Sequence, residues 1–260
     1  YKRQVVLHGL ACGIAIDIRI MAIIIPIATI CIGIARSFQN YKFIKKYIKY
    51  FLIYITVLIC AVLIFWPWLW LDPIGNFLTA FKNMSKFRWG GEMYFMGDII
   101  TSLSLPWYYV PIWISVTTPP IYLLLFLVGA ASCFKDITSN ILKIINRPDQ
   151  LQDAITLALF FGPIIAVIAF QSVLYNGWRH LYFIYPLFIL IAVHGLINVW
   201  KRYRGIVTRS CLFLIVCGSL LTTSIWMIRY HPYQYLYFNF IAGNWERNFD
   251  VDYWGVAYRK

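Results

Sequence analysis

Long apolar stretches separated by short polar segments dominate the chain and predict a bundle of membrane-spanning helices. A helix needs about 20 apolar residues to cross a bilayer. Seven stretches approach or reach that length: residues 4–17, 20–35, 50–71, 116–134, 154–175, 181–200 and 210–228. Four prolines between Pro106 and Pro120 exclude one regular helix there, so we expect a broken helix or an interfacial segment before the fourth span.

The first stretch is short for a span and is rich in small residues. Gly9, Ala11 and Gly13 predict that this helix packs closely against a neighbour. Asp17 and Arg19 interrupt the apolar pattern before the second stretch, which predicts a tight turn. These two residues either cap that turn or contact a substrate.

The distribution of charge predicts the orientation in the membrane. Segments assigned to the inner side carry 14 Lys and Arg against 3 acidic residues, and those assigned to the outer side carry 9 against 7. Cytoplasmic loops of membrane proteins show such a basic excess. We therefore predict three units: a transmembrane domain 1–228, an extracytoplasmic loop 72–105 within it, and the start of an extracytoplasmic segment 229–260.

Composition agrees with a membrane protein. Hydrophobic residues make up 61% of the chain and charged residues 13%, against about 45–50% and about 25% in soluble domains. The fold class predicted is an all-α polytopic membrane protein. The net charge of +13 does not indicate nucleic-acid binding, because the basic residues form short clusters between apolar runs. The six cysteines lie in or beside apolar runs without CxxC spacing, which favours packing over a metal site or disulfides.

Candidate chemistry concentrates on the predicted outer side. Arg179 and His180 stand at the mouth of the apolar segment 181–200, where a cation suits a lipid phosphate headgroup. Alternatively, Arg179 only snorkels at a helix end, and His180 is an ordinary interfacial residue. His194 lies deep in the same segment and is interpreted as a helix-packing residue rather than a ligand.

The loop 72–105 and the corner that follows it offer sugar-binding groups. Glu92 and Asp98 are candidate acid/base or sugar-hydroxyl ligands, or else solvated loop charges. The aromatic corner Trp107, Tyr108 and Tyr109 either stacks on a sugar or anchors the loop in the interface. Asp250-Val-Asp252 resembles a nucleotide-sugar motif, but nucleotide sugars are absent from the predicted outer side, so we reject that function for it.

Several blocks, in order along the chain, resemble the protein-mannosyltransferase-like glycosyltransferases, which include protein O-mannosyltransferases and bacterial aminoarabinose transferases of lipid A. The blocks are Gly9-Leu-Ala-Cys-Gly13 leading to Arg19, Trp66-Pro-Trp-Leu-Trp-Leu-Asp-Pro73, Leu105-Pro-Trp-Tyr-Tyr109 with Thr117-Thr-Pro119, Gly177-Trp-Arg-His180, and the tail His231–Asn239 with Asp252–Gly255.

This resemblance implies a GT-C-type helical fold in a bacterial inner membrane. It also implies transfer of a sugar from a polyprenyl-phosphate donor to an acceptor glycan, lipid or protein. Arg179, His180 and Arg19 would face the lipid phosphate. The family's catalytic Asp lies in an N-terminal extracytoplasmic loop that no part of this sequence matches, so we expect this stretch alone to be inactive. The resemblance does not decide whether the reaction uses a divalent cation.

Two other functions compete with the transferase. A transporter or flippase of lipid-linked sugars would need the same headgroup contacts, and charges at the membrane midplane would favour it. A purely structural membrane scaffold would leave the long aromatic outer loop unexplained.

Overall fold

The computed structural model describes residues 2–39, 41–85, 89–139, 144 and 147–249. The chain divides into two compact units, Tyr1–Phe87 and Arg88–Lys260. The predicted boundary between residues 228 and 229 falls within the second unit. Separation of a transmembrane domain from a C-terminal extracytoplasmic segment at that point stays a prediction.

Helices make up most of the described chain. The α-helices are α1 (Lys2–Ile18), α2 (Ile24–Gln39), α3 (Tyr41–Phe65), α4 (Pro73–Ser85), α5 (Tyr109–Thr117), α6 (Pro120–Ser139), α7 (Pro148–Ala169), α8 (Tyr185–Arg202), α9 (Ile206–Arg229) and α10 (Trp245–Asn248). Two strands, β1 (Glu92–Phe95) and β2 (Asp98–Thr101), form an antiparallel hairpin.

Six helical segments among the described residues are long and apolar enough to cross a bilayer. They are Ile20–Ser37, Tyr47–Phe65, Pro120–Ser139, Asp149–Ala169, Arg179–Arg202 and Ile206–Arg229. The predicted class, an all-α polytopic membrane protein, is confirmed. The remaining predicted span, residues 4–17, corresponds to α1, which has 17 residues and is shorter than these six.

In the first unit, α1 packs against α3 through its glycines. A Cβ atom on Gly9 would lie 3.0 Å from the Tyr54 carbonyl oxygen, and one on Gly13 would overlap the Ala61 side chain. The close packing predicted from these glycines is confirmed, whereas Ala11 is exposed. The chain then turns at Arg19, whose backbone is extended, before a 3₁₀ turn and α2.

The predicted loop 72–105 contains regular structure. Asp72 caps α4, since its carboxylate accepts a hydrogen bond from the Gly75 amide at 2.9 Å. Farther along, Met96 and Gly97 connect β1 to β2 with positive φ angles of 56° and 91°. Positive φ at both central residues is the geometry of a tight hairpin turn.

The second unit has its core where α6, α7 and α8 meet. The Phe126 ring stacks on Phe188 with centroids 4.5 Å apart and lies 4.9 Å from the Phe160 ring. Helix α9 buries none of its residues, as expected of a helix whose sides face lipid.

Three predictions about helix ends can be compared with the structure. The predicted helix break between Pro106 and Pro120 is confirmed: α5 ends at Thr117, Thr118 is extended, and α6 begins at Pro120. The predicted span 116–134 is shifted, because Val116 and Thr117 belong to α5 and α6 continues to Ser139. The predicted span 154–175 is shifted, because Pro148 starts α7 earlier and the helix ends at Ala169. Residues 148–153, predicted as part of a cytoplasmic loop, are therefore helical.

Candidate functional site

Arg179 and His180 both lie against the ring of Tyr175. The Arg179 guanidinium carbon is 4.7 Å from the ring centroid, which is a cation–π distance. The His180 imidazole meets the same ring edge-on, with centroids 4.6 Å apart. One aromatic side chain thus orients two groups that can donate hydrogen bonds to an anion.

The buried side chain of Trp178 anchors the turn that carries these residues. Asn176 and Gly177 have positive φ angles of 54° and 70°, which reverse the chain after α7. The Trp178 side chain is buried, and its indole N–H donates to the Thr117 hydroxyl at 3.0 Å. The 3₁₀ helix Arg179–Ile184 and α8 follow directly. Arg179 is therefore the first residue of a 3₁₀ helix that continues into α8.

The tail packs on the same break between α5 and α6. The Asn239 side-chain amide donates to the carbonyls of Ser115 and Thr118 at 2.7 and 2.6 Å, and its backbone N–H donates to Val116 at 2.9 Å. Three of the sequence blocks, those that contain Thr117, Trp178 and Asn239, thus meet at one place. Their separation along the chain exceeds 50 residues in each case.

Tyr237, two residues before Asn239, is a half-buried neutral donor on this tail. Burial raises the pKa of its hydroxyl, and the phenol of Tyr122 adds a smaller effect in the same direction. The ring contacts Trp226 edge-on with centroids 5.1 Å apart. At neutral pH, Tyr237 can therefore donate a hydrogen bond but adds no negative charge beside the break.

A cavity of about 210 Å³ opens beside the aromatic corner. Its lining includes Trp107 and Tyr109 together with Ser172 and Leu174, which follow the end of α7. Trp107 is exposed, whereas Tyr109 is buried and its hydroxyl lies 3.4 Å from the Met93 sulfur. Since Tyr175 follows Leu174 in the chain, the cavity borders the segment that carries Arg179. Its volume is below the roughly 300–1,000 Å³ of sites for drug-sized ligands, so it suits one small ring.

The remaining aromatic and acidic candidates, Tyr108, Glu92 and Asp98, are not part of the cavity lining. Tyr108 is exposed and stacks on Phe95 with centroids 6.1 Å apart. Glu92 and Asp98 are exposed on the hairpin, whereas Met93 and Phe95 of β1 are buried. A role for Glu92 and Asp98 in binding a sugar stays a prediction.

Two further predictions concern other parts of the chain. Arg19 belongs to the first unit and Arg179 to the second; that both face one lipid phosphate stays a prediction. The rejected motif Asp250-Val-Asp252 and the resemblance block Asp252–Gly255 lie outside the described residues.

The sequence did not reveal one group of polar residues among the helices of the second unit. Cys133, Asp153 and His194 come from α6, α7 and α8, and their potential ligand atoms lie within 4.8 Å of one another. His194 and the cysteines were predicted to be packing residues, and Asp153 was predicted to lie in a loop. Pro148 is the signal that could have found this group. A predicted helix that begins at Pro148 includes Asp153 and places all three residues at similar distances from their helix ends.

These elements define an integral, multi-pass α-helical membrane protein. Comparison with known proteins does not assign it to a family, since no family model, curated protein or solved structure matches the chain. Inferences about its activity therefore depend on its own residues and on the sequence resemblance described above.

Proposed function

We propose that this chain is part of a membrane glycosyltransferase that moves a sugar from a polyprenyl-phosphate donor to an acceptor on the extracytoplasmic face. The observation that carries the proposal is the pairing of Arg179 and His180 on Tyr175 at the start of an apolar helix. A cation at that position can hold a phosphate while the apolar helix accommodates the polyprenyl tail.

The cavity beside the aromatic corner supports the same function. Trp107 is exposed and offers aromatic surface to one face of a sugar ring, and Ser172 is a hydroxyl-bearing residue of the cavity lining. In this proposal the sugar occupies the cavity and its phosphate lies near Arg179. Leu174 of the cavity lining immediately precedes Tyr175 in the chain, and Tyr175 contacts Arg179. The proposed donor thus has separate places for its sugar, its phosphate and its tail.

In the proposed reaction an acceptor hydroxyl attacks the anomeric carbon from the side opposite the phosphate. The bond from that carbon to the phosphate oxygen breaks, and the electron pair leaves on polyprenyl phosphate. Arg179 stabilises the negative charge that develops there, and such preorganised donors are strong contributors to catalysis. The hydroxyl proton passes to a carboxylate, which the family resemblance places in a loop unlike any part of this sequence.

Release of the lipid product distinguishes a transferase from a flippase. The natural full-length protein would be reconstituted in vesicles with a polyprenyl-phosphate donor carrying a radiolabelled sugar. We expect free polyprenyl phosphate to accumulate as labelled sugar moves to an acceptor. Movement of intact donor between leaflets, without any released polyprenyl phosphate, would replace the transferase with a transporter.

A further inference from the structure

We propose that Cys133, Asp153 and His194 form a binding site for a divalent transition-metal ion of the zinc type. The three residues come from three different helices of the second unit, α6, α7 and α8, and their ligand atoms lie within 4.8 Å of one another. Cys133 is buried, while the side chains of Asp153 and His194 are 23% and 31% exposed. Neither the resemblance nor the proposed transfer reaction uses these residues.

The spacing of two of the ligand atoms matches that of two ligands on a shared ion. His194 Nδ1 lies 3.5 Å from Asp153 Oδ1, which is an ion-pair distance when the imidazole is protonated and is longer than the usual 2.7–3.2 Å of an N–H···O hydrogen bond. Zinc bonds of about 2.0–2.2 Å at tetrahedral angles would place these two atoms about 3.3–3.6 Å apart. A zinc–sulfur bond of about 2.3 Å would place the Cys133 sulfur about 3.6 Å from each of the other two atoms, and all three atoms already lie within 4.8 Å of one another.

The chemistry of the three ligands also selects this class of ion. A thiolate, an imidazole and a carboxylate together suit zinc, whereas calcium and magnesium prefer oxygen ligands alone. Three protein ligands leave a fourth tetrahedral position for water or for another group. The site would therefore bind zinc or cobalt in preference to the divalent ions that usually accompany phosphates.

The helices that carry the ligands are held in register around the site. The Asn198 amide donates to the Ser132 hydroxyl at 2.8 Å and links α8 to α6 beside Cys133. One turn away, Gly129 and Gly195 bring the two backbones into direct contact. Each ligand lies five to eight residues from the end of its helix, or about 7–12 Å at about 1.5 Å per residue. The three ligands therefore lie at similar depths from these helix ends, with His194 near the middle of α8.

Cobalt titration tests the site without relying on enzyme activity. The purified full-length protein would be stripped with a chelator and titrated with Co²⁺ while its absorption spectrum is recorded. We expect a near-ultraviolet thiolate-to-cobalt charge-transfer band that saturates and that Zn²⁺ abolishes. Wild-type protein that shows no such band would overturn the proposal, whatever the behaviour of the variants.

Variants connect the band to the named residues. Cys133→Ser should abolish the band, and Asp153→Asn and His194→Gln should each weaken Co²⁺ binding at least about tenfold. Cys211→Ser is the matched control, since Cys211 is exposed on α9, and it should leave the titration unchanged. A band that persists in folded Cys133→Ser, or disappears in Cys211→Ser, would contradict the assignment.

Discussion

Tyr175 positions both cationic candidates, although nothing in the local sequence marks it for that role. Arg179 and His180 could be predicted because a cation before an apolar stretch is conspicuous. Their partner was not predicted: Asn176-Gly177 is a dipeptide typical of turns, but a turn signal does not show which ring the two side chains will contact. The Cys133–Asp153–His194 group escaped prediction for a similar reason, since its members are brought together only by helix packing.

Asn239 is the residue on which attachment of the tail depends most directly. It is 7% exposed, and its side chain makes three hydrogen bonds. Asn239→Ala would leave the Ser115 and Thr118 carbonyls without these donors, at a cost of about 1–3 kcal/mol for a buried unpaired group. We expect faster limited proteolysis between residues 230 and 244 while the membrane helices stay protected.

The control for this substitution is Asn244→Ala, because Asn244 is exposed on the same tail. Equal proteolysis of the two variants would show that the tail is held by other contacts.

At the scale of elements, the apolar stretches predicted the helices well, but their ends were less predictable. Hydropathy shows how long an apolar stretch is, whereas the residue at which a helix begins or ends depends on local features such as Pro148 at the start of α7. The hairpin was also missed within a loop chosen for its polarity. Its signal was present in the alternation from Glu92 to Phe95 followed by Gly97.

The contact between α6 and α8 requires glycine on both helices. A Cβ atom on Gly129 would overlap the Ile191 carbonyl oxygen, and one on Gly195 would overlap that of Leu125. Neither obstacle is a flexible side chain. Gly129→Ala should therefore force the helices apart and destabilise the protein by about 1–3 kcal/mol.

Thermal unfolding in detergent would measure this effect, with Gly218→Ala as the matched control. A Cβ atom on Gly218 of α9 would meet no atom within 4 Å, so that substitution should not lower the melting temperature. Equal melting temperatures for the two variants would show that α6 and α8 do not depend on this close approach.

At the scale of the whole molecule, the membrane class followed from composition and periodicity, and the six candidate spans confirm it. The predicted orientation follows from the basic excess of the proposed inner segments. In this prediction Arg179 lies outside and Arg209 inside. Both arginines belong to the second unit, and Arg209 lies 5.0 Å from the Trp200 ring centroid, much as Arg179 lies over Tyr175.

Arg179→Ala compared with Arg209→Ala tests most directly whether Arg179 serves the donor phosphate. In the full-length protein, with a polyprenyl-phosphate sugar donor, Arg179→Ala should reduce the rate of polyprenyl phosphate release by about 10²–10³-fold, as loss of a preorganised anion donor does. Arg209→Ala removes a similar cation–π contact and should retain nearly normal release. Near-normal release by folded Arg179→Ala, or an equal loss in both variants, would remove Arg179 from the proposed site.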